Sequence, residues 1–261
     1  MRILVTNDDG YTSQGIRTLA LMLREYGDVT VVAPKGPQSG MSLAVNLGSR
    51  SLAYRRIGNE DGFELSYLDA TPASCVKYAL NFSDSFPDVV VSGINHGSNA
   101  TMGALYSGTL GACQEAAING LTGIGVSIDT HSEHPDFSAV EALFPAIFRK
   151  LVSASEGKPF GTYYNVNFPE LPPEKIKGVR LTHMGIGRWI REFKLVEECN
   201  AEGETVYAMT GEYLDSGMNP PDADHHLMSQ GYVTVTAHSI LNTDSDELRR
   251  LSELGIERNL L

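Results

Sequence analysis

Ile3-Leu4-Val5 is a short apolar run that stops at Thr6-Asn7-Asp8-Asp9-Gly10, which reads as a buried strand entering a polar turn. Ile16, Leu19, Ala20 and Leu23 then recur at the spacing of one helix face. Val29 to Ala33 is rich in β-branched residues and halts at Pro34, which reads as a second strand. Strand, helix, strand in that order predicts a right-handed unit of a parallel sheet.

The pattern continues. Thr71-Pro72 has the form of an N-cap followed by proline at the first helical position, with a helix to Leu80. Asp88 to Ser92 reads as a strand, followed by a glycine-rich loop, a helix over Gly108–Asn119 and a strand over Ile124–Ile128. Val140 to Ala154 reads as a helix with Leu143, Ile147 and Leu151 on one face. Residues 1–155 thus predict an α/β core, an open and doubly wound parallel sheet. Residues 156–261 differ. Tyr163–Phe168 and Val179–Leu181 read as strands, and Trp189–Glu197 with Glu204–Met209 reads as a long hairpin turning at Asn200-Ala201-Glu202-Gly203. A hairpin with little core needs a partner surface, so it is expected to protrude and mediate oligomerisation; the alternative is that it folds back on its own domain. Asp246–Leu254 reads as a last helix, and this C-terminal part is expected to complete the core.

Composition narrows the function classes. The 261 residues are 42% hydrophobic and 20% charged, as in an ordinary soluble chain. A formal charge of −12 argues against nucleic acid or an anionic membrane as partner. Three cysteines without a CxxC spacing suggest thiols in a reducing compartment. With no apolar run near the roughly 20 residues that span a bilayer, a cytoplasmic protein is the expectation.

Three polar, glycine-containing segments follow predicted strands: Thr6–Gly10, Pro37-Gln38-Ser39-Gly40 and Ser92–Asn99. In an open α/β sheet such ends share one edge, where ligands bind. Two carboxylates, a hydroxyl and an amide oxygen are hard donors suited to Mg²⁺ or Mn²⁺ and unlike a structural zinc set. Adjacent carboxylates in a partly buried turn repel each other, and a cation relieves that repulsion. The competing reading has Asp8 capping the next helix and Asp9 in an Asx turn; the other two loops weigh against it. Residues 6–15, 39–46 and 92–112 contain no Lys or Arg, and there is no GxxxxGK[ST] loop. An anion here must be held by metal and backbone N–H groups, and Tyr106-Ser107-Gly108-Thr109-Leu110-Gly111 offers a helix start for that purpose. His131 and His134 read as surface loop. Asp222, Asp224, His225 and His226 read as solvated loop, and Trp189, Phe193 and Tyr213 as packing residues.

These motifs together resemble the SurE family, the stationary-phase survival nucleotidases. The resemblance rests on Ile3–Gly10, on Ala33-Pro34 with Gln38-Ser39-Gly40, and above all on residues 87–112, PDVVVSGINHGSNATMGALYSGTLGA. Gly185 to Gly211 resembles the family's hairpin. The resemblance implies a Rossmann-like fold and a homodimer or homotetramer. It implies a phosphomonoesterase, a 5'-nucleotidase acting on nucleoside 5'-monophosphates, with 3'-monophosphates and short polyphosphate left open as further substrates. One Mg²⁺ or Mn²⁺ per subunit would be held by Asp8, Asp9, Ser39 and Asn95, with Asp8 and Asp9 also catalytic. Asn99, Ser107, Gly108 and Thr109 match positions near the phosphate. The sequence departs at Ala70 and Ser74, and at Ala237 and His238, away from the metal loops. The rival class is a non-catalytic metal and nucleotide sensor using the same pocket.

Overall fold

Alternation within the first strand decides the layering. In β1 (Arg2–Thr6), Ile3 and Val5 face one side of the sheet and Leu4 the other. The first side packs under α1 (Gln14–Leu23) and α4 (Ser138–Ala154), whose Ile16, Leu19, Leu23, Phe144 and Phe148 are fully buried. The second packs under α2 (Pro72–Phe82) and α3 (Gly108–Ile118) through Cys75, Val76, Ala112 and Ala116. Burying each such large side chain contributes on the order of 2–3 kcal/mol. These statements rest on a computed structural model, which describes residues 1–48, 51–82 and 86–256.

The remaining strands are β2 (Asp28–Pro34), β3 (Tyr54–Glu60), β4 (Phe63–Leu68), β5 (Val89–His96), β6 (Thr122–Asp129), β7 (Thr162–Pro169), β8 (Val179–Thr182), β9 (Gly187–Ile190), β10 (Phe193–Glu197), β11 (Val206–Met209), β12 (Glu212–Asp215) and β13 (Val233–Ser239). Nine form one sheet in the order β3-β4-β2-β1-β5-β6-β7-β13-β8. The six from β4 to β7 run parallel, whereas β3 and β13 are antiparallel to their neighbours β4 and β7. This is the open, doubly wound sheet that the sequence predicts. Chain order reverses between β1 and β5, so the crevice for a ligand lies there.

Several elements escape the sequence reading. β3 and β4 form a hairpin at the sheet edge, and β3 is too exposed to carry a hydrophobic alternation. The legible signal was Asp61-Gly62, a two-residue turn with both φ positive. In α4 the buried stripe runs through Val140, Phe144, Ile147 and Phe148, with Leu143 and Leu151 at its margin. The hairpin is longer than expected: β9 pairs with β12, β10 pairs with β11, and the ladder breaks near Arg191 and Gly211, which have positive φ. Every residue of β10 is exposed. Beyond residue 155, β7, β13 and β8 extend the same sheet, while α6 (Ser245–Glu253) contributes no buried residue. Among the described residues no helix is long and apolar enough to cross a membrane.

Ser74, one of the departures from the family pattern, has a visible task. Its hydroxyl accepts the Asn46 N–H at 3.0 Å and lies 2.9 Å from the Thr71 hydroxyl, so it ties the 44–46 loop to the start of α2.

Candidate active site

Asp8 and Asp9 leave β1 at the chain reversal, and neither caps α1. That cap is Ser13, whose hydroxyl accepts the Ile16 N–H. Asn7 shapes the turn instead: its amide donates to the Gly10 carbonyl at 3.1 Å and the Ser13 hydroxyl at 2.8 Å, and its oxygen accepts the Gly10 N–H. The two aspartates are thereby left over for another purpose.

The other predicted segments converge on them. The Gln38 N–H donates to the Asp8 carbonyl at 2.7 Å, which brings the loop carrying the exposed Ser39 against the turn. The His96 N–H donates to the Asp9 carboxylate, joining the end of β5 to the same place. Asn95 is buried, and its Nδ2 donates to the Gly97 carbonyl at 2.7 Å. That bond fixes the amide and leaves Oδ1, the hard donor, available to a cation. The start of α3 approaches so closely that a Cβ on Gly108 would stand 2.9 Å from Asp8 Cβ.

Charge makes the arrangement costly without a cation. Burial pushes the Asp8 carboxyl up to about 6, and the neighbouring Asp9 charge adds to the rise, while the Thr109 hydroxyl opposes it. Burial likewise raises Asp9 to about 6, opposed by the His96 N–H. Two desolvated acids, an amide oxygen and a nearby hydroxyl, in loops that lack Lys and Arg, fit a hard divalent ion.

On the anion side, the start of α3 is tied to Asp8. Ser107 caps α3, accepting the Leu110 N–H at 3.1 Å. Thr109, expected at the phosphate, directs both its hydroxyl and its N–H at the Asp8 carboxylate. The reason is the close approach at Gly108, which places the first turn of α3 over Asp8 rather than over open space. Thr109→Val is therefore expected to weaken divalent-ion affinity roughly tenfold, since a hydrogen bond to a charged group contributes about 1.5–3 kcal/mol; calorimetric titration with Mn²⁺ checks it.

Asn99 is held by a buried polar network that the sequence reading missed. Its N–H donates to Asn167 Oδ1 at 2.7 Å and its Nδ2 to the Ser127 hydroxyl at 2.8 Å. Asn165 donates to the Asn99 carbonyl, and Asn167 to Asn165. The signal was Asn165-Val166-Asn167, two amides on one face of a strand otherwise apolar. One amide hydrogen and Oδ1 of Asn99 remain for a ligand.

His131 and His134 are exposed, as expected. The expectation of solvated loop fails for Asp224, which is fully buried and starts α5 (Asp224–Ser229). Its carboxylate accepts the N–H groups of Thr101, Gly185 and His225, pinning the loop after β5 to the C-terminal part. Trp189 and Phe193 are exposed on the hairpin, although Trp189 meets the Tyr213 ring edge-on.

The chain is similar to known proteins over most of its length. The sequence model of the family described as "Survival protein SurE" matches residues 3–191. The 5'-nucleotidase SurE of Christiangramia forsetii is 38% identical over 235 residues, covering 89% of this chain and 88% of that protein. The 5'-nucleotidase SurE of Cytophaga hutchinsonii is 39% identical, covering 92% and 93%. The crystal structure of the SurE protein from Aquifex aeolicus superposes with a TM-score of 0.79 at 30% identity, covering 98% of this chain and all of that one. With the family model spanning most of its length and relatives aligned nearly end to end, the chain belongs to the SurE family.

Proposed function

We propose that the protein is a divalent-metal-dependent phosphomonoesterase, a 5'-nucleotidase that converts nucleoside 5'-monophosphates to nucleoside and phosphate. The observation that carries this reading is that the turn bearing Asp8 and Asp9 meets the end of β5, through the His96 N–H, and the start of α3 at the chain reversal of the sheet. Its relatives are named for the same activity.

Asp8, Asp9, Ser39 and Asn95 would hold one Mg²⁺ or Mn²⁺. The bound ion supplies positive charge to the phosphate and acidifies water at neutral pH. Asp8 is kept ionised and oriented by Thr109. Asp9, less buried, accepts a proton from the attacking water. The Gly108 N–H, the Ser107 hydroxyl and the free amide hydrogen of Asn99 hold phosphate oxygens as charge spreads over them. The water oxygen bonds to phosphorus as the bond to the ribose oxygen breaks; the ribose oxygen takes up a proton from solvent, and Asp9 returns its own to solvent. Activity on 3'-monophosphates and short polyphosphate belongs to the same reading, because the recognised group is the terminal phosphoryl. The exposed apolar residues Phe193, Val196, Tyr207 and Met209 of the hairpin support a homodimer or homotetramer.

The deciding experiment is phosphate release from a panel of monophosphates with Mg²⁺, Mn²⁺ or chelator. Metal-dependent release is expected, and chelator is expected to abolish phosphate affinity as well, since no Lys or Arg lies in the site loops. Nucleotide binding without release under every metal would leave a sensor instead.

A further inference from the structure

A second polar cluster lies at the base of the hairpin, sharing no residue with the site above. His225 Nε2 and His226 Nε2 each stand 2.9 Å from Asp215 Oδ2. The other carboxylate oxygen is already engaged: Oδ1 accepts the Gly217 N–H at 2.8 Å and the Asn219 amide at 2.7 Å. Oδ2 is therefore fixed in place and aimed at two imidazole nitrogens. One donor atom from each of the three residues lies within 4.8 Å of the other two.

Behind His225 stands a second carboxylate. Asp224 Oδ1 is fully buried and 3.5 Å from His225 Nδ1, a buried nitrogen that makes no hydrogen bond. A neutral imidazole carries one N–H. With it on Nε2 for Asp215, Nδ1 turns its lone pair toward the buried Asp224 carboxylate 3.5 Å away; with it on Nδ1, Nε2 turns its lone pair toward Asp215. A cation at Nε2 resolves the conflict: the proton stays on Nδ1 facing Asp224, and the Nε2 lone pair meets the ion. Carboxylate, histidine and metal in that sequence is the usual way a ligating imidazole is oriented.

We propose that Asp215, His225 and His226 bind one divalent transition ion of the zinc class, separate from the ion at Asp8 and Asp9. Two imidazoles and a carboxylate suit Zn²⁺ or Co²⁺, whereas Mg²⁺ selects oxygen alone. Donors about 2.0–2.2 Å from a tetrahedral ion stand roughly 3.3–3.5 Å from one another. The present 2.9 Å contacts would open by about half an ångström, and the two imidazole nitrogens, within 4.8 Å of each other, would settle to the same spacing. The ion would clamp β12 to α5, and through the bond from the Thr101 N–H to Asp224 it would brace the loop that carries Asn99.

The test uses the full chain in an Asp8→Asn, Asp9→Asn background, which silences the first site. Equilibrium dialysis against Zn²⁺ at neutral pH is expected to leave one equivalent bound and to raise the thermal midpoint. Co²⁺ should give the intense visible band of a four- or five-coordinate ion. His226→Gln and, independently, Asp215→Asn should lose both the equivalent and the band. Asp224→Asn should weaken Zn²⁺ roughly 10- to 100-fold. Absence of bound Zn²⁺ in the background variant, as for a plain imidazole–carboxylate hydrogen bond, would overturn the site, and so would undiminished Zn²⁺ in a folded His226→Gln or Asp215→Asn. Phosphatase activity persisting in the background variant would instead count against the proposed function and leave this readout intact.

Discussion

Asp8→Asn is expected to lower turnover by about three orders of magnitude, a loss on the order of 4 kcal/mol in transition-state stabilisation, while leaving the metal-free fold more stable near neutral pH. The two effects share one cause. Asp8 is buried beside Asp9 and its carboxyl is raised to about 6 in the folded chain, against an ordinary 3.8. An acid whose folded pKa is raised favours its neutral form in the native state. Its ionisation is therefore a destabilising contribution, absent below about 4, growing as pH rises from 4 to 6 and fully present above. A two-unit rise corresponds to roughly 2–3 kcal/mol. Asn cannot ionise, yet it still accepts the Thr109 hydroxyl, so the variant keeps the hydrogen bond and sheds the charge. Thermal midpoints measured in chelator should fall between pH 4 and 6 more steeply in the parent than in Asp8→Asn. Some fall persists in the variant, because Asp9 is raised for the same reason. Mn²⁺ should reverse the order, stabilising the parent far more than the variant. Near-normal turnover of Asp8→Asn at saturating Mn²⁺ would sink the assignment.

How far the sequence foretold this site depends on what kind of information each residue carries. Asp8, Asp9 and Asn95 were legible because they follow apolar runs, and a parallel sheet brings such ends to one edge whatever their separation in sequence. The bond from Thr109 to Asp8 was not legible, because the sequence marks a helix start without saying where its first turn points. That direction is set by a glycine meeting a backbone from the neighbouring loop. The network behind Asn99 was hidden because asparagine in a strand reads as exposure, whereas Asn165 and Asn167 are buried and bonded to one another and to Asn99. The clearest failure, Asp224, has the same origin. A run of charged and imidazole residues carries the signature of solvated loop until a buried carboxylate is seen to take three backbone N–H groups. Periodicity reports which faces are apolar; it is silent on polar groups that fold inward onto each other.

Gly108→Ala tests the geometry without touching a donor atom, and it is expected to lower activity on the order of a hundredfold. The added methyl would stand 2.9 Å from Asp8 Cβ, 3.1 Å from the Gln38 carbonyl oxygen and 3.2 Å from Asp8 Oδ2. The two nearest, a Cβ and a backbone carbonyl oxygen, do not move with a side-chain rotamer, so the strain cannot be shed by a rotamer change. Either α3 retreats, taking the Thr109 hydroxyl from Asp8, or the Asp8 turn shifts against Asn95 and the loop bearing Ser39. Both outcomes misplace the ion relative to the phosphate by a fraction of an ångström to an ångström, and misalignment of that size costs about two orders of magnitude. Ala is also a better helix former than Gly, so loss of the helix cannot explain the defect. The expected signature is a fall in turnover with weakened Mn²⁺ affinity and an unchanged circular dichroism spectrum. Thr109→Val is the informative partner, because it removes one of the bonds that a retreat of α3 would break. The double variant should then lose little more than Gly108→Ala alone. Additive losses would mean that the glycine acts on the phosphate side of the site, independently of the hydrogen bond to Asp8.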